Sequence, residues 1–207
     1  MKHRSFLWHA AGFAITTLGG TLLHFLYDWS GQSILLAPFS GVNESTWEHM
    51  KLLYWPLLLF SLLQYPFFRE SRSFWWVKLW GSLLGLGLIP VLFYTYNGAF
   101  GKSPDWLNIA IFYMAAGAFF LLEWRLLRKS SVSCPGQPIA FTILCLLGVL
   151  FVLFTFYPPQ IPLFADPRTG GYGIGHTKTA MALATAVFTS YQMQGNNLYL
   201  TFCLYSA

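Results

Sequence analysis

The chain reads as an all-α polytopic bundle of about five transmembrane helices with a cytoplasmic amino terminus. Three observations predict this. Of 207 residues, 56% are hydrophobic and only 9% charged, against roughly 25% charged in a soluble domain, so a water-facing surface could not be covered. The apolar residues form five continuous runs, each near the ~20 residues that cross a ~30 Å hydrocarbon core, without the period-two alternation of a barrel. Aromatic residues make up 19% of the chain, which suits the headgroup level, where one end of a ring is dry and the other wet. The same composition excludes intrinsic disorder.

The first run covers residues 6–26, after a basic start at Lys2 and Arg4. A signal peptide opens in the same way, but its apolar core is only about 7–15 residues, and no A-x-A cleavage site follows here. The run is therefore a retained helix. The second covers 51–68, with a helical extension from Ser45, and the third covers 74–94. The fourth covers 106–127, and the fifth, 139–157, stops at Pro158-Pro159, which cannot continue a helix. Beyond His176 the chain turns polar and, after Lys178, uncharged. Residues 179–191 are too short and too polar for a sixth span.

Orientation follows from the 12 lysines and arginines. With the amino terminus inside, Lys2, Arg4, Arg69, Arg72, Lys78, Arg125, Arg128 and Lys129 lie inside. Lys51, Lys102, Arg168 and Lys178 lie outside, a split that obeys the positive-inside rule. Most acids, Asp28, Glu44, Glu48, Asp105 and Asp166, fall on the outer side, and Glu70 and Glu123 on the inner. The net charge of +5 lies in short clusters between apolar runs, with no basic stripe or reading motif, so nucleic acid is not an expected partner. The lipid bilayer is, and a membrane partner or a homo-oligomer remains open. Cys134, Cys145 and Cys203 form no C-x-x-C pair, and Cys145 reads as a small core residue.

Two packing devices stand out. Gly81-Ser-Leu-Leu-Gly85 is a G-x-x-x-G, and Ala115-Ala116-Gly117-Ala118 is a small-residue stretch. Both let helices approach closely in lipid, within the molecule before between copies. Pro56 and Pro90 are candidate kinks.

The densest polar residues gather at the outer ends of the first two helices. His24 and Asp28 are four apart and share a helix face. Next comes Asn43-Glu-Ser-Thr-Trp-Glu-His-Met-Lys51, in which Glu44, Glu48 and Lys51 align on one stripe if the segment is helical, with His49 about a quarter turn away. Carboxylates at i and i+4 repel, and a cation would relieve them. His24, Glu44, Glu48 and His49 are therefore candidate ligands for a divalent metal ion, the cofactor such a set would take. With Asp28, the same four are candidate acid–base groups, and Asn43 and Lys51 are accessory polar residues. The competing reading is structural. Ser45-x-x-Glu48 fits a capping box, Glu48 and Lys51 fit an i,i+3 pair, His24 and Asp28 fit an i,i+4 pair, and Trp29, Trp47 and Trp55 fit interfacial anchors. The spacing matches no H-E-x-x-H signature. Elsewhere, His9 reads as a helix–helix contact and Glu123 as a solvated ion pair with Arg125 and Arg128. Tyr94, Tyr96, Asn97 and Asp105 bracket the second outer loop and could line the same cavity, and Asp166-Pro-Arg-Thr-Gly-Gly is a turn-rich loop.

Leu23-His-Phe-Leu-Tyr-Asp-Trp-Ser-Gly31 and Val42-Asn-Glu-Ser-Thr-Trp-Glu-His-Met-Lys51 resemble a family of small multi-pass bacterial membrane proteins classed as a domain of unknown function. The resemblance runs from the first helix to about Ile174 and includes Ile161-Pro-Leu-Phe and Asp166-Pro. It implies a bacterial cytoplasmic membrane and a membrane domain over 1–174, with 175–207 an atypical tail not native to the family. It brings no activity or catalytic residues. Three functions follow from the residues: an enzyme acting near the outer headgroups, an ion-coupled carrier, or a structural or accessory protein without catalysis. A carrier needs polar groups through the bilayer midplane, and the sequence supplies mainly Thr16 and Thr17.

Overall fold

The computed structural model describes residues 2–68, 70–71, 73–128 and 136–174. It is an all-α bundle: α1 Lys2–Trp29, α2 Thr46–Phe68, α3 Phe74–Phe100, α4 Asp105–Arg128 and α5 Gln137–Phe156, followed by a 3-10 turn at Pro162–Phe164. Among the described residues there is no strand, only an isolated bridge between Ala165 and Tyr172. The first four expected runs lie inside these helices, the fifth overruns α5 by one residue, Tyr157, and the extension before the second run begins at Thr46, one residue after the cap. The sixth-span question at 179–191, together with Cys134 and Cys203, lies outside the described residues.

Four of the five helices, α1, α3, α4 and α5, are long and apolar enough to cross a membrane. The exception is α2, which carries Glu48, Lys51, Gln64 and two prolines. Its position explains this composition. It packs against all four other helices, and 12 of its 23 residues are buried. A central helix meets protein on most sides, so polar groups on it find partners instead of lipid.

The helices alternate in direction. One end of the bundle gathers the last turns of α1, α3 and α5 with the first turns of α2 and α4, and the other end gathers the opposite termini. Glycines set the closeness. A Cβ on Gly12 would lie 2.5 Å from the rings of Phe60 and Phe120, and one on Gly19 would lie 3.1 Å from Pro56, so α1 sits tightly on α2 and α4. Both glycines of the G-x-x-x-G face α4: Gly81 abuts the Phe119 ring and Gly85 the Ala115 carbonyl. Ala115 and Ala116 are fully buried, so both small-residue devices serve intramolecular packing. The middle of the bundle is an apolar layer that includes Leu53, Leu57, Phe60, Phe112, Phe119 and Phe120. The α-helix runs unbroken through Pro56 and Pro90.

Three expectations are corrected by where the side chains point. Cys145 is exposed on the outer surface of α5 and is not a core residue. Trp47 is buried, its ring 4.5 Å from that of Phe151 and 4.8 Å from that of Phe164, so it anchors the core and not the interface. Glu123 is fully buried and meets Lys78 Nζ at 2.6 Å instead of Arg125 or Arg128. Arg128 lies over the Trp124 ring.

Candidate functional site

The site begins with how α2 starts. Ser45 N–H donates to Asn43 Oδ1 (2.9 Å), and Ser45 Oγ accepts from Glu48 N–H (3.4 Å). That is half of a capping box. The other half is diverted. Glu48 Oε2 accepts from Val42 N–H at 3.0 Å, three residues ahead of the cap, and pairs with Lys51 Nζ at 2.5 Å. Lys51 is completed by the Ala37 carbonyl (2.9 Å) and Thr155 Oγ (3.0 Å), so the buried pair ties the loop, α2 and α5 together. Burial pushes the Glu48 carboxyl above its ordinary value, and the Lys51 ammonium pulls it back.

Because the helix starts at Thr46, Glu44 is not on a helical stripe with Glu48. It faces the other way. Glu44 Oε1 lies 3.7 Å from His24 Nε2 and 3.6 Å from Arg168 Nη1, and its Oε2 lies 3.7 Å from His49 Nε2. The two imidazole centroids are 5.6 Å apart. His24 therefore pairs with Glu44, and Asp28, one turn on, is exposed and outside the cluster. The residues proposed from sequence thus divide. His24, Glu44 and His49 come together, Glu48 and Lys51 form a separate structural pair, and Asn43 bridges to the Gly173 carbonyl at 3.4 Å. Among the described residues, no group of three or more His, Cys, Asp or Glu is placed to hold a metal ion. Beside Glu44, a guanidinium already supplies positive charge.

His49 Nδ1 lies 2.9 Å from the Ser45 carbonyl. A carbonyl only accepts, so Nδ1 carries the proton and donates. The neutral ring then presents Nε2 as a lone pair toward the Glu44 carboxylate. Surrounding protein disfavours the charged ring and lowers the His49 pKa, against the opposing pull of the Ser45 carbonyl and Glu44. Its side chain still keeps 24% of its surface open.

Two cavities meet at this cluster. One, of about 430 Å³, runs between α2, α3 and α4 under Lys102, Arg168 and Asp105. The other, of about 280 Å³, lies between α1 and α4, and its rim residues Phe25, Ile109 and Tyr113 stay exposed on the flank of the bundle. Glu44, His49, Asp105, Asn108, Phe112 and Arg168 line both. Asn97 and Asp105 join the first cavity as expected, whereas Tyr94 and Tyr96 do not line it. Arg168, Lys102 and Asn108 were missed from sequence. The turn-rich loop places Arg168: Asp166 accepts from Arg168 N–H (2.8 Å) and from the Thr169 hydroxyl (2.9 Å), and this turn holds Arg168 over Glu44. A loop so distant in sequence gave no local signal.

A second polar node lies at the opposite end. Lys78 Nζ contacts Glu123 Oε1 at 2.6 Å and Gln64 Oε1 at 2.5 Å, and His9 Nε2 is 3.6 Å from Glu123 Oε1. Phe74 and Phe119 flank the ammonium. Each of α1 to α4 contributes one residue.

A family model described as a family of unknown function, DUF6512, matches residues 2–174. The chain belongs to this family. The DUF6512 match contains every helix among the described residues, both cavities and both polar nodes, and stops where the described residues stop. No curated protein and no solved structure matches the chain.

Proposed function

We propose that the chain is a multi-pass protein of the bacterial cytoplasmic membrane that binds an amphiphile at its extracytoplasmic face, with Glu44 and His49 as the acid–base pair at the head of the site. In this reading all five helices cross, α2 through its apolar run 51–68, about 27 Å of rise, with its first turn outside the span at the outer headgroup level. The observation that carries it is the junction of two cavities at the Glu44–His24–His49–Arg168 cluster, the more polar one under Lys102 and Arg168 and the other opening between α1 and α4. A polar head fits the first and an apolar chain fits the second, a division a soluble ligand does not need.

A carrier fits less well. Between the outer cluster and the Lys78–Glu123 node lies the apolar layer of Leu57, Phe60, Phe119 and Phe120. The Thr17 hydroxyl is spent on the Phe13 carbonyl of its own helix. A polar path through the midplane is what transport requires, and this packing does not support one.

The test is native mass spectrometry of detergent-purified protein for bound lipid. The wild type is expected to retain lipid. Ile109→Trp, which fills the exposed rim of the flank cavity, is expected to lose most of it with an unchanged melting temperature. A wild type that never retains lipid, or equal retention by Ile109→Trp, would overturn the reading.

A further inference from the structure

The site is charge-balanced and rich in acceptors at one end. Arg168 and Lys102 supply two positive charges to the first cavity, and Glu44 and Asp105 supply two negative ones. A ligand of zero net charge preserves that balance, whereas a net anion or cation does not.

The Arg168 contacts are loose. At 3.6 Å to Glu44 and 3.8 Å to Asp105, they exceed the ~2.7–2.9 Å of a charge-assisted hydrogen bond. With 58% of its side chain exposed on a loop, Arg168 can turn to a better acceptor. Glu44 would then need another donor. The same need exists at His49, whose only N–H is given to the Ser45 carbonyl, so that its Nε2 lone pair faces the Glu44 carboxylate across 3.7 Å. Two acceptors face each other with no proton between them. A group with several N–H donors satisfies both at once, and a quaternary ammonium, having none, does not. On the other side of the junction, Ser103 Oγ donates to Asn108 Oδ1 (2.9 Å), which commits that oxygen and leaves the Asn108 amide NH₂ for an acceptor on the ligand.

We propose that the head group bound here is a zwitterionic aminoalkyl phosphate, its primary ammonium between Glu44 and His49 and its phosphate on Arg168, Lys102 and Asn108. This rests on the amphiphile reading above and names its chemistry. The ligand exchanges one ion pair for two: Arg168 leaves Glu44 for the phosphate, and the ammonium takes its place. No net charge is added.

The experiment compares binding of short-chain phosphatidylethanolamine, phosphatidylcholine and phosphatidylglycerol, and of soluble phosphoethanolamine, to the detergent-purified full chain by titration calorimetry. Phosphatidylethanolamine is expected to bind at least roughly tenfold more tightly than either other lipid, the difference that one charge-assisted donor set makes. Glu44→Gln should erase its advantage over phosphatidylcholine. Arg168→Gln, on an exposed loop, should weaken phosphatidylethanolamine while leaving the melting temperature unchanged. Equal binding of the three lipids, or a preference for phosphatidylglycerol, overturns the head-group assignment and leaves the amphiphile reading standing. Soluble phosphoethanolamine binding as tightly as the lipid overturns the amphiphile reading and keeps the head-group chemistry. Binding by none of the four overturns both.

Discussion

The Nδ1–H of His49 is held by the backbone of the residue four positions earlier, so the tautomer is set by the helix start and not by the ligand. Desolvation then keeps the ring below the ordinary histidine value of 6.5. The sign of the consequence follows from linkage. A base with a lowered folded pKa contributes stability that is complete above its unfolded value and lost as pH falls through the folded one. The melting temperature in detergent should therefore decline as pH falls below about 6.5. Glu48 acts in the opposite sense. Its raised folded value makes its contribution complete below 4.5 and lost as pH rises through the raised pKa. Only the first effect should vanish in His49→Gln, so that variant should show a flatter decline than the wild type. An identical pH profile in both proteins would mean that the ring does not titrate with folding.

At the scale of the element, α2 contributes to both polar nodes of the bundle. Its first turn holds the Glu48–Lys51 pair and its last turns hold Gln64 against Lys78. The Lys78–Glu123 contact joins α3 to α4 with neither partner exposed. Removing one partner of a buried pair leaves an uncompensated charge and costs about 3–5 kcal/mol, while removing both can be close to neutral. Lys78→Met and Glu123→Leu should each lower the melting temperature strongly, and the double variant should recover most of the loss. Additive losses in the double variant would show that the pair itself contributes nothing. This node was only half legible in the sequence. Lys78 and Glu123 stand out as charges inside apolar runs, but nothing local says that they meet, and neighbouring Arg125 and Arg128 offered a nearer partner for Glu123. The outer site divided in the same way. Ser45, Glu48 and Lys51 follow local rules: the i,i+3 pair formed and so did the Ser45 half of the capping box, while the Glu48 carboxylate went to Val42 N–H instead. Glu44 departed from its stripe because the cap at Ser45 ends the helix before it, and Arg168 reached it through tertiary contact alone. What periodicity and local chemistry dictate was readable: the five runs, the helix start and the small-residue seams. What depends on how distant helices pack was not.

For the whole molecule, the alternation of helix directions puts the Glu44 cluster and the Lys78–Glu123 node at opposite ends of the bundle, so orientation in the membrane decides which of them faces outward. The charge count bears on this, and the structure refines it. Lys78 and Lys51 are both buried in ion pairs inside the bundle and do not act as loop charges. Eight inner and four outer basic residues, less one from each side, become seven and three, so the bias is retained once the buried charges are set aside. Basic residues in short loops are held on the cytoplasmic side, so the orientation proposed above, and put to test here, has the amino terminus inside and the Glu44 cluster outside. A reporter active only in the periplasm, fused after Ser40, should therefore be active, and the same reporter fused after Ser130 should be silent. The reverse pattern would put Glu44, His24 and His49 in the cytoplasm, where the amphiphile would have to come from the inner leaflet. Activity at both positions would mean that the chain between them makes an even number of crossings instead of the three that five alternating helices require, in which α2 carries the chain in, α3 out and α4 in again. A fusion after Ser71, at the turn between α2 and α3, isolates the one helix that falls short of the apolar threshold. If α2 crosses, that fusion is silent. If it lies within the outer half of the bundle without crossing, that fusion is active.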